Sequence, residues 1–392
     1  MTGRVSTLGR TRRTRAGVAT RSRSAVDRRS VLLVVPVFLL LIIGLGVMMS
    51  ASSVVAIRDT GDHLYYFRRQ VMWVGLGVIA FVVAARVPYR FWQRTALVGY
   101  LAVLALLVAT LVVGDVRNGA RRWIELGPLT IQVAEFAKLA TISLLAAALT
   151  KKERWLGSLL HFLVPVAVIL GGVGLLLLAQ PDFGSFAIVL AASFAVILAS
   201  AVPLGYVAGI GVLGALVGFV LAVSADYRKA RLIGFLDPLS DPLGRGHQAV
   251  QSLVALGTGG LFGVGLGASR ARWSFLPNAH TDFIFAIIGE ETGLVGAMLV
   301  VVLFTIFAAV GTVIALGAPD RFGRLLATGL VALISIQALV NVGGVVAVLP
   351  ITGVPLPFVS SGGNAMVVNL AAVGILLNIC RAARGRREDV RP

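Results

Sequence analysis

The chain is built from long apolar runs separated by short polar segments. A helix needs about 20 residues to cross the hydrocarbon core of a membrane. Ten runs approach or exceed that length, near residues 31–56, 70–85, 95–114, 134–150, 159–179, 183–201, 203–224, 283–316, 325–348 and 364–380. Because these runs are continuous rather than alternating, they favour helices over a β-barrel. The pattern predicts an all-α polytopic membrane protein with about ten transmembrane helices.

Glycine and proline mark the places where this pattern changes. Pro203 predicts the turn that divides the sixth run from the seventh. The seventh run then carries five glycines, which predict close packing against a neighbouring helix: Gly205, Gly209, Gly211, Gly214 and Gly218. Residues 225–281 contain no span of their own. Their apolar, glycine-rich stretch at 251–269 predicts a piece that lies in the interface or re-enters the protein.

Composition agrees with a chain whose solvent is lipid. Hydrophobic residues make up 58% of the 392 residues and charged residues 13%, against about 25% charged in soluble domains. The single cysteine, Cys380, excludes an intramolecular disulfide, and the four histidines lie in separate segments without the spacing of a zinc site. The glycine series at 251–269 matches neither a P-loop nor a dinucleotide fingerprint. Nucleotide binding is therefore not expected.

The net charge of +18 is distributed unevenly, and the distribution predicts the topology. Nine arginines precede residue 31, and half of the other 26 basic residues fall in alternate loops at 86–94, 151–154 and 321–324 or after residue 380. By the positive-inside rule these segments are cytoplasmic. The chain then divides into an Arg-rich cytoplasmic tail (1–30), a ten-helix domain (31–380) with a large extracellular loop (225–281), and a basic cytoplasmic tail (381–392). The N-terminal tail is expected to touch anionic lipid rather than nucleic acid.

Ionisable residues beside the outer ends of the spans are the candidates for chemistry, because charges at membrane depth are costly. Asp282 begins the eighth span next to His280 and is either a catalytic acid–base group or a helix cap. Glu290 lies about 12 Å further along the same helix. Its position suits an ion pair with Lys138 or Arg122, or a packing hydrogen bond.

The entry to the fourth span carries a charged cluster that includes Arg122, Glu135 and Lys138. Glu135 and Lys138 are three residues apart on one helix, so they either pair with each other or face a substrate. The last outer loop, at 349–364, ends in Ser360 and two glycines, Gly362 and Gly363. These residues either hold an anion at the start of the last helix or simply close the loop.

Four segments resemble one known family. They are the run at 242–296, GARRWIELG at 119–127, QPDFGS at 180–185 and LPITGVPLPFVSSGG at 349–363. In order and content they resemble the SEDS family (FtsW, RodA and SpoVE) across almost the whole chain. The long basic N-terminal tail, MMSASSVVA at 48–56 and Phe183 make it most similar to the FtsW branch. One departure is Ser361, where the family usually has tyrosine.

The resemblance implies a peptidoglycan glycosyltransferase of the bacterial cytoplasmic membrane, acting in septal cell-wall synthesis. Its implied substrate is lipid II, and its implied partners are a class B penicillin-binding protein and other divisome proteins. Asp282 matches the family's essential aspartate, and Arg122, Glu135 and Lys138 match its conserved charged cluster. The predicted substrate-binding set is Arg122, Glu135, Lys138, His280, Glu290, Ser360, Gly362 and Gly363. A divalent cation, Mg²⁺ or Mn²⁺, is the expected cofactor, with no organic one.

Two other functions fit a ten-helix membrane protein with embedded charges. A lipid II flippase is one, and a non-catalytic scaffold for the partner synthase is the other. The candidate charges lie toward the outer face, and the sequence shows no inverted repeat with paired broken helices. The sequence therefore favours the enzyme, with Asp282 as general base.

Overall fold

The computed structural model describes residues 28–117, 119–127, 129–270 and 281–389. Within these ranges the chain forms twelve α-helices and three short strands. The helices are α1 Arg28–Thr60, α2 Tyr65–Arg86, α3 Arg90–Val113, α4 Val133–Lys151, α5 Leu159–Ala179, α6 Phe183–Leu198, α7 Leu204–Val223, α8 Asp226–Leu236, α9 His247–Gly259, α10 Ile284–Leu316, α11 Arg321–Val345 and α12 Gly363–Asp389. A single 3₁₀ turn, Glu153–Trp155, follows α4.

The membrane-spanning helices lie where the apolar runs predict them. In the described part of the chain, nine helices are long and apolar enough to cross a membrane, and α6 is a shorter apolar helix of 16 residues. The prediction of a polytopic, almost entirely helical membrane protein is confirmed. Helix boundaries differ by a few residues; α12, for example, continues to Asp389, although the sequence predicts a tail after residue 380.

The segments predicted to be cytoplasmic meet at one end of the bundle. Ser30, at the start of α1, lies 3.7 Å from the Cys380 thiol near the end of α12. Arg90, at the start of α3, pairs at 3.1 Å with Asp320 before α11. The opposite end carries the outer loops. This arrangement agrees with the alternation expected from ten spans, while the assignment of either end to the cytoplasm stays a prediction.

A small sheet between α3 and α4 was not expected from the sequence. Strands β1 Asp115–Arg117, β2 Ala120–Leu126 and β3 Leu129–Gln132 form an antiparallel meander in the order β1-β2-β3. Gly119 and Gly127 adopt positive φ angles at its two turns, a conformation that other residues rarely adopt. The sheet carries Arg122 to the mouth of the bundle.

The predicted outer loop also contains regular structure, because α8 and α9 lie inside residues 225–281. After α9 the glycine-rich chain pairs with a break in α10 at Gly293, whose φ is 69°. The N–H groups of Val264 and Gly265 donate to the carbonyls of Glu290 and Glu291, at 2.9 and 3.1 Å. The N–H groups of residues 294 and 295 donate in return to the carbonyls of residues 260 and 261. The loop therefore replaces helical bonds that the break removes.

The glycines of α7 do not serve the packing that the sequence predicts. A Cβ atom on Gly205, Gly209, Gly214 or Gly218 would meet nothing within 4 Å, and only Gly211 approaches a neighbour, the Phe194 ring. Val207 is the only buried residue of α7. This helix lies at the edge of the bundle, so its small residues face outward. That prediction was wrong because glycine spacing alone does not say which neighbour is present.

Candidate active site

The end of the bundle opposite the predicted cytoplasmic segments encloses a cavity of about 910 Å³. The sheet, α8, the starts of α2, α4, α6, α10 and α12, and the loop at 350–355 form its walls. Its volume lies in the range of cavities that hold organic ligands. Among its polar lining residues are Arg69, Gln70, Arg122, Gln132, Glu135, Asp182, Arg228, Arg231, Asp282, Ser361 and Asn364.

Asp282 lies on the cavity wall, in the turn before α10. Phe283 occupies the N-cap position and no side chain caps the first turn of α10, so Asp282 is not held there as a helix cap. A Cβ atom on Gly353 would lie 3.5 Å from Asp282 Oδ2 and 3.8 Å from Arg231 Nη1. The glycine, whose φ is 74°, therefore lets the loop pass close to both side chains.

The surroundings of Asp282 favour a carboxyl group that exchanges protons near neutral pH. Burial raises the pKa of Asp282 to about 6, because the charged form loses hydration. The positive charge of Arg231, a hydrogen bond from the Thr281 side chain and the more distant Arg122 oppose that rise. Burial dominates. A pKa in this range suits a general base, which must be ionised and still basic at the working pH.

Four arginines line the same cavity: Arg69, Arg122, Arg228 and Arg231. Arg122 donates from Nε to the Gln180 carbonyl at 3.1 Å and also to the carbonyl of residue 181. Arg69 donates to the Thr130 hydroxyl at 2.8 Å, and Arg231 to the carbonyl of residue 351 at 3.4 Å. These acceptors are neutral, so they orient the guanidinium groups without cancelling their charge. The cavity is suited to an anionic group.

Three of these arginines, Arg69, Arg228 and Arg231, were not among the residues singled out from the sequence. Arg228 and Arg231 are three residues apart, so they share one face of α8. The Arg228 guanidinium lies over the Phe183 ring, 5.5 Å from its centroid. The available signal was this basic pair at the start of the loop. The sequence analysis missed this pair because it did not predict α8.

Beneath the cavity, Lys138 joins Glu135 to α11. Its ammonium group donates to Glu135 Oε1 at 2.7 Å and to the Gln337 side-chain carbonyl at 2.9 Å. Only 1% of the Lys138 side chain is exposed, and it does not line the cavity, whereas Glu135 does. The Glu135–Lys138 pairing alternative is the one the structure contains. Lys138 therefore pairs with Glu135 from the protein interior and does not itself face the cavity.

Asn341 connects the turn that carries Asp282 to the loop at 350–355. Its amide nitrogen donates to the carbonyl of Asp282 and to that of Val354, both at 2.8 Å. One turn earlier on α11, Gln337 donates to the carbonyl of Pro355 at 2.9 Å. Two amides four residues apart in an apolar helix were a signal that the sequence analysis did not use. Asn341 is a positioning residue for Asp282.

Replacing Asn341 with alanine is expected to lower kcat by about 10- to 100-fold, because support of this kind holds a reacting group in place. The KM for the substrate should change little, since Asn341 does not line the cavity. Steady-state kinetics with the purified protein measure both constants. Ser335→Ala on the same helix is the matched control. Equal losses in the two variants would argue against a positioning role.

Glu290 lies away from the cavity, and the ion pairs suggested for it do not form. It accepts hydrogen bonds from the Ser269 hydroxyl and from the backbone N–H of Arg270, the latter at 3.0 Å. Lys138 is committed to Glu135, and Arg122 to backbone carbonyls. Glu290 thus fastens the returning loop to α10, which is the packing alternative.

The last outer loop contributes its glycines rather than Ser360 to the cavity. The Ser360 hydroxyl accepts from the N–H of Leu356 at 2.8 Å and is buried, so it closes the loop. Gly362 and Gly363 line the cavity. Gly363 is packed so closely on Trp73 that a Cβ atom would overlap the indole ring. His280 lies outside the described residues.

No group of three or more acidic, histidine or cysteine side chains within the described ranges is arranged to hold a metal ion. Glu135, Asp182 and Asp282 all line the cavity but do not converge. These residues therefore do not offer a preformed site for the divalent cation that the sequence analysis expects.

Comparison with known proteins shows the family of the chain. The FtsW/RodA/SpoVE family, described as cell cycle proteins, matches residues 30–385. This chain belongs to that family. It is 41% identical over 356 residues to stage V sporulation protein E of Bacillus subtilis, covering 90% of this chain and 97% of the relative. It is 37% identical over 362 residues to a probable peptidoglycan glycosyltransferase FtsW of Geobacter metallireducens, covering 92% and 96%.

Solved structures show that the chain also has the fold of its relatives. A structure described as a peptidoglycan synthase complex, in which polymerization and crosslinking are coordinated, contains a chain that matches with a TM-score of 0.73 and 30% identity, covering 90% of this chain and 97% of that one. RodA of Thermus thermophilus matches with a TM-score of 0.66 and 29% identity, covering 89% and 95%. The family and the fold that the motifs imply are thereby confirmed.

Proposed function

We propose that this protein is a peptidoglycan glycosyltransferase that polymerises lipid II at the outer face of the bacterial cytoplasmic membrane. Several relatives carry the name of that activity. The observation that carries the assignment is the placement of Asp282, a carboxyl group with a pKa of about 6, in a cavity with four arginines. Lipid II has a sugar hydroxyl that can give its proton to the base, and a pyrophosphate that the arginines can bind.

The chemistry is a displacement at the anomeric carbon of a sugar. Asp282 removes the proton from the attacking hydroxyl, whose oxygen forms the new bond to that carbon. The bond from the anomeric carbon to the pyrophosphate oxygen breaks, and undecaprenyl pyrophosphate leaves with the electron pair. Arg122 and Arg231 stabilise the charge that develops on this leaving group. Attack from the face opposite the pyrophosphate inverts the anomeric configuration, from α to β.

A divalent cation remains a prediction for this protein. The described residues do not gather a ligand set for it, and the arginines of the cavity neutralise the charge of the leaving group. When bound, such a cation would supply further positive charge beside the pyrophosphate. In the proposed reaction Asp282 is the base, and Arg122 and Arg231 stabilise the leaving group.

The partner we propose is a transpeptidase of the class B penicillin-binding protein type. A chain of similar fold belongs to a complex described as coordinating polymerization with crosslinking. The similarity covers 97% of that one chain. Relatives named FtsW support a place at the division septum with other divisome proteins. Coupling a glycan polymerase to a crosslinking enzyme would deliver new strands directly to the enzyme that joins them.

The rate of polymerisation is expected to depend on pH with an inflection near 6. Asp282 acts as a base only when ionised, so below its pKa of about 6 the rate should fall tenfold per pH unit. Above that pH it should be constant. Removing Arg231 withdraws a charge that lowers this pKa, so Arg231→Gln should move the inflection upward as well as slow the reaction.

The matched control for the pH profile is Arg245→Gln. Arg245 lies in the same outer loop, is exposed and pairs with Asp241, and does not line the cavity. Its variant should keep the wild-type inflection. Initial rates of glycan formation from labelled lipid II between pH 4.5 and 8.5 provide the measurement. A profile without an inflection in wild type would remove Asp282 from the role of base.

A further inference from the structure

A second cavity, of about 410 Å³, lies at the opposite end of the bundle from the candidate active site. It sits between the starts of α3 and α11 and the end of α4. α4 links the two cavities, since Glu135 near its start lines the first and Thr150 near its end lines the second. The second cavity is thus at the end predicted to be cytoplasmic.

Three arginines line this cavity, and two of them pair with carboxylates, Arg90 with Asp320 and Arg321 with Glu153. They are Arg90, Arg94 and Arg321. The one acidic lining residue, Asp320, is already occupied: it accepts from the Tyr89 hydroxyl at 2.7 Å, from Arg90 at 3.1 Å and from a backbone N–H of α11. With Asp320 and Glu153 each paired with one arginine, the positive charge of the third, Arg94, remains uncompensated at the cavity.

Arg94 and Arg321 keep hydrogen-bonding capacity for a ligand. Arg321 pairs with Glu153 at 3.1 Å, yet its Nε–H is buried without an acceptor. Arg94 is exposed, and no ion pair holds it within the ranges that the structure describes. α3 begins at this cavity, and the N-terminal end of a helix carries partial positive charge. All of these features favour an anion.

An apolar stripe on α3 continues directly from Arg94. Leu97, Val98 and Leu101 follow it at spacings of three, four and seven residues, which places all four side chains on one helix face. The three apolar side chains are 53–69% exposed, so they face lipid. A ligand with its anion at Arg94 would have its next atoms along this stripe. That arrangement fits a phospholipid better than a free anion.

We propose that this cavity binds the phosphate headgroup of an anionic phospholipid of the cytoplasmic leaflet, with an acyl chain along Leu97, Val98 and Leu101. Basic pockets between transmembrane helices on that side bind such headgroups in other membrane proteins. The site is independent of the lipid II cavity. It would tie α3, α4 and α11 together at one end while the reaction proceeds at the other.

The test compares lipid binding by the full-length protein and its variants. Purified protein in neutral detergent is titrated with phosphatidylglycerol, and bound lipid is counted by native mass spectrometry. Wild type should bind one phosphatidylglycerol more tightly than phosphatidylcholine. Arg94→Gln should weaken phosphatidylglycerol binding about fivefold, as expected for one arginine near an anionic headgroup. Its binding of phosphatidylcholine should not change.

Arg324→Gln is the matched control, because Arg324 is an exposed arginine of α11 at the same end of the bundle but outside the cavity. It should retain wild-type binding. An equal loss in both variants would show a diffuse effect of basic charge and overturn the site. A second arm adds inorganic phosphate at millimolar concentration. If phosphate alone displaced the bound phosphatidylglycerol, the cavity would be a site for small anions and the assignment to a lipid would be wrong.

Discussion

Asp282→Asn is expected to slow lipid II polymerisation by at least about 100-fold, because general-base catalysis contributes roughly 10²- to 10⁴-fold. Asparagine keeps the shape of the side chain but cannot take the proton of the attacking hydroxyl. The backbone carbonyl of Asp282, which accepts from Asn341, remains in place. The loss should therefore appear in kcat, while the KM for lipid II changes little. Initial rates of glycan formation give both constants.

The variant should fold at least as stably as wild type. Burial disfavours the charged carboxylate, which is why the pKa of Asp282 is raised to about 6. A neutral amide avoids that cost. Asp241→Asn is the matched control, since Asp241 is an exposed aspartate of the same loop that contacts Arg245. An Asp282→Asn protein that polymerises at the wild-type rate would show that another group is the base.

Lys138→Met is expected to destabilise the protein by about 3–5 kcal/mol, the cost of leaving one partner of a buried ion pair uncompensated. Glu135 is only 3% exposed and its pairing with Lys138 at 2.7 Å is direct. Methionine fills a similar volume but offers no positive charge and no donor for Gln337. The unfolding midpoint in detergent, followed by circular dichroism, should fall sharply, and activity should fall with it.

The double variant Glu135→Gln/Lys138→Met separates structure from catalysis. Removing the buried charge should restore much of the stability, because replacing both partners of a buried pair is often nearly neutral. Glu135 lines the cavity, so activity should stay low if its carboxylate contacts the substrate. Recovery of both stability and activity would mean that the pair only holds α4 to α11. A double variant no more stable than Lys138→Met would contradict the ion-pair explanation.

The spans were predictable because hydrocarbon imposes a single requirement on them. Each must satisfy its backbone internally over about 20 apolar residues, and the apolar runs at 134–150 and 325–348 indicated α4 and α11 in this way. No comparable requirement predicts the structure of the outer loop, residues 225–281. α8 is a short polar helix, and α9 ends where the chain pairs with the break at Gly293. The break in α10 at Gly293 is stabilised by hydrogen bonds from a segment about 30 residues earlier in the chain. Because this is a tertiary contact, local sequence patterns do not predict it.

The candidate site was predictable in its charges but not in its geometry. The cost of burying charge at membrane depth pointed to Asp282, Arg122 and Glu135, and all three line one cavity. The same reasoning also selected Glu290, whose carboxylate instead holds Ser269. Helical spacing cannot tell whether a charged face meets a cavity or a neighbouring loop. Asn341 was missed because a neutral amide gives no charge signal, although it holds two backbone carbonyls.

The most direct test of the proposed function follows the fate of lipid II with wild-type protein. The full-length protein is reconstituted in liposomes containing labelled lipid II, with and without a class B penicillin-binding protein, and the products are resolved on a glycan gel. A second readout measures how much lipid II crosses the bilayer. We expect ladders of polymer and no increase in crossing. Accelerated crossing without polymer, even with the partner present, would contradict the enzyme and identify a flippase; the absence of both would leave a scaffold.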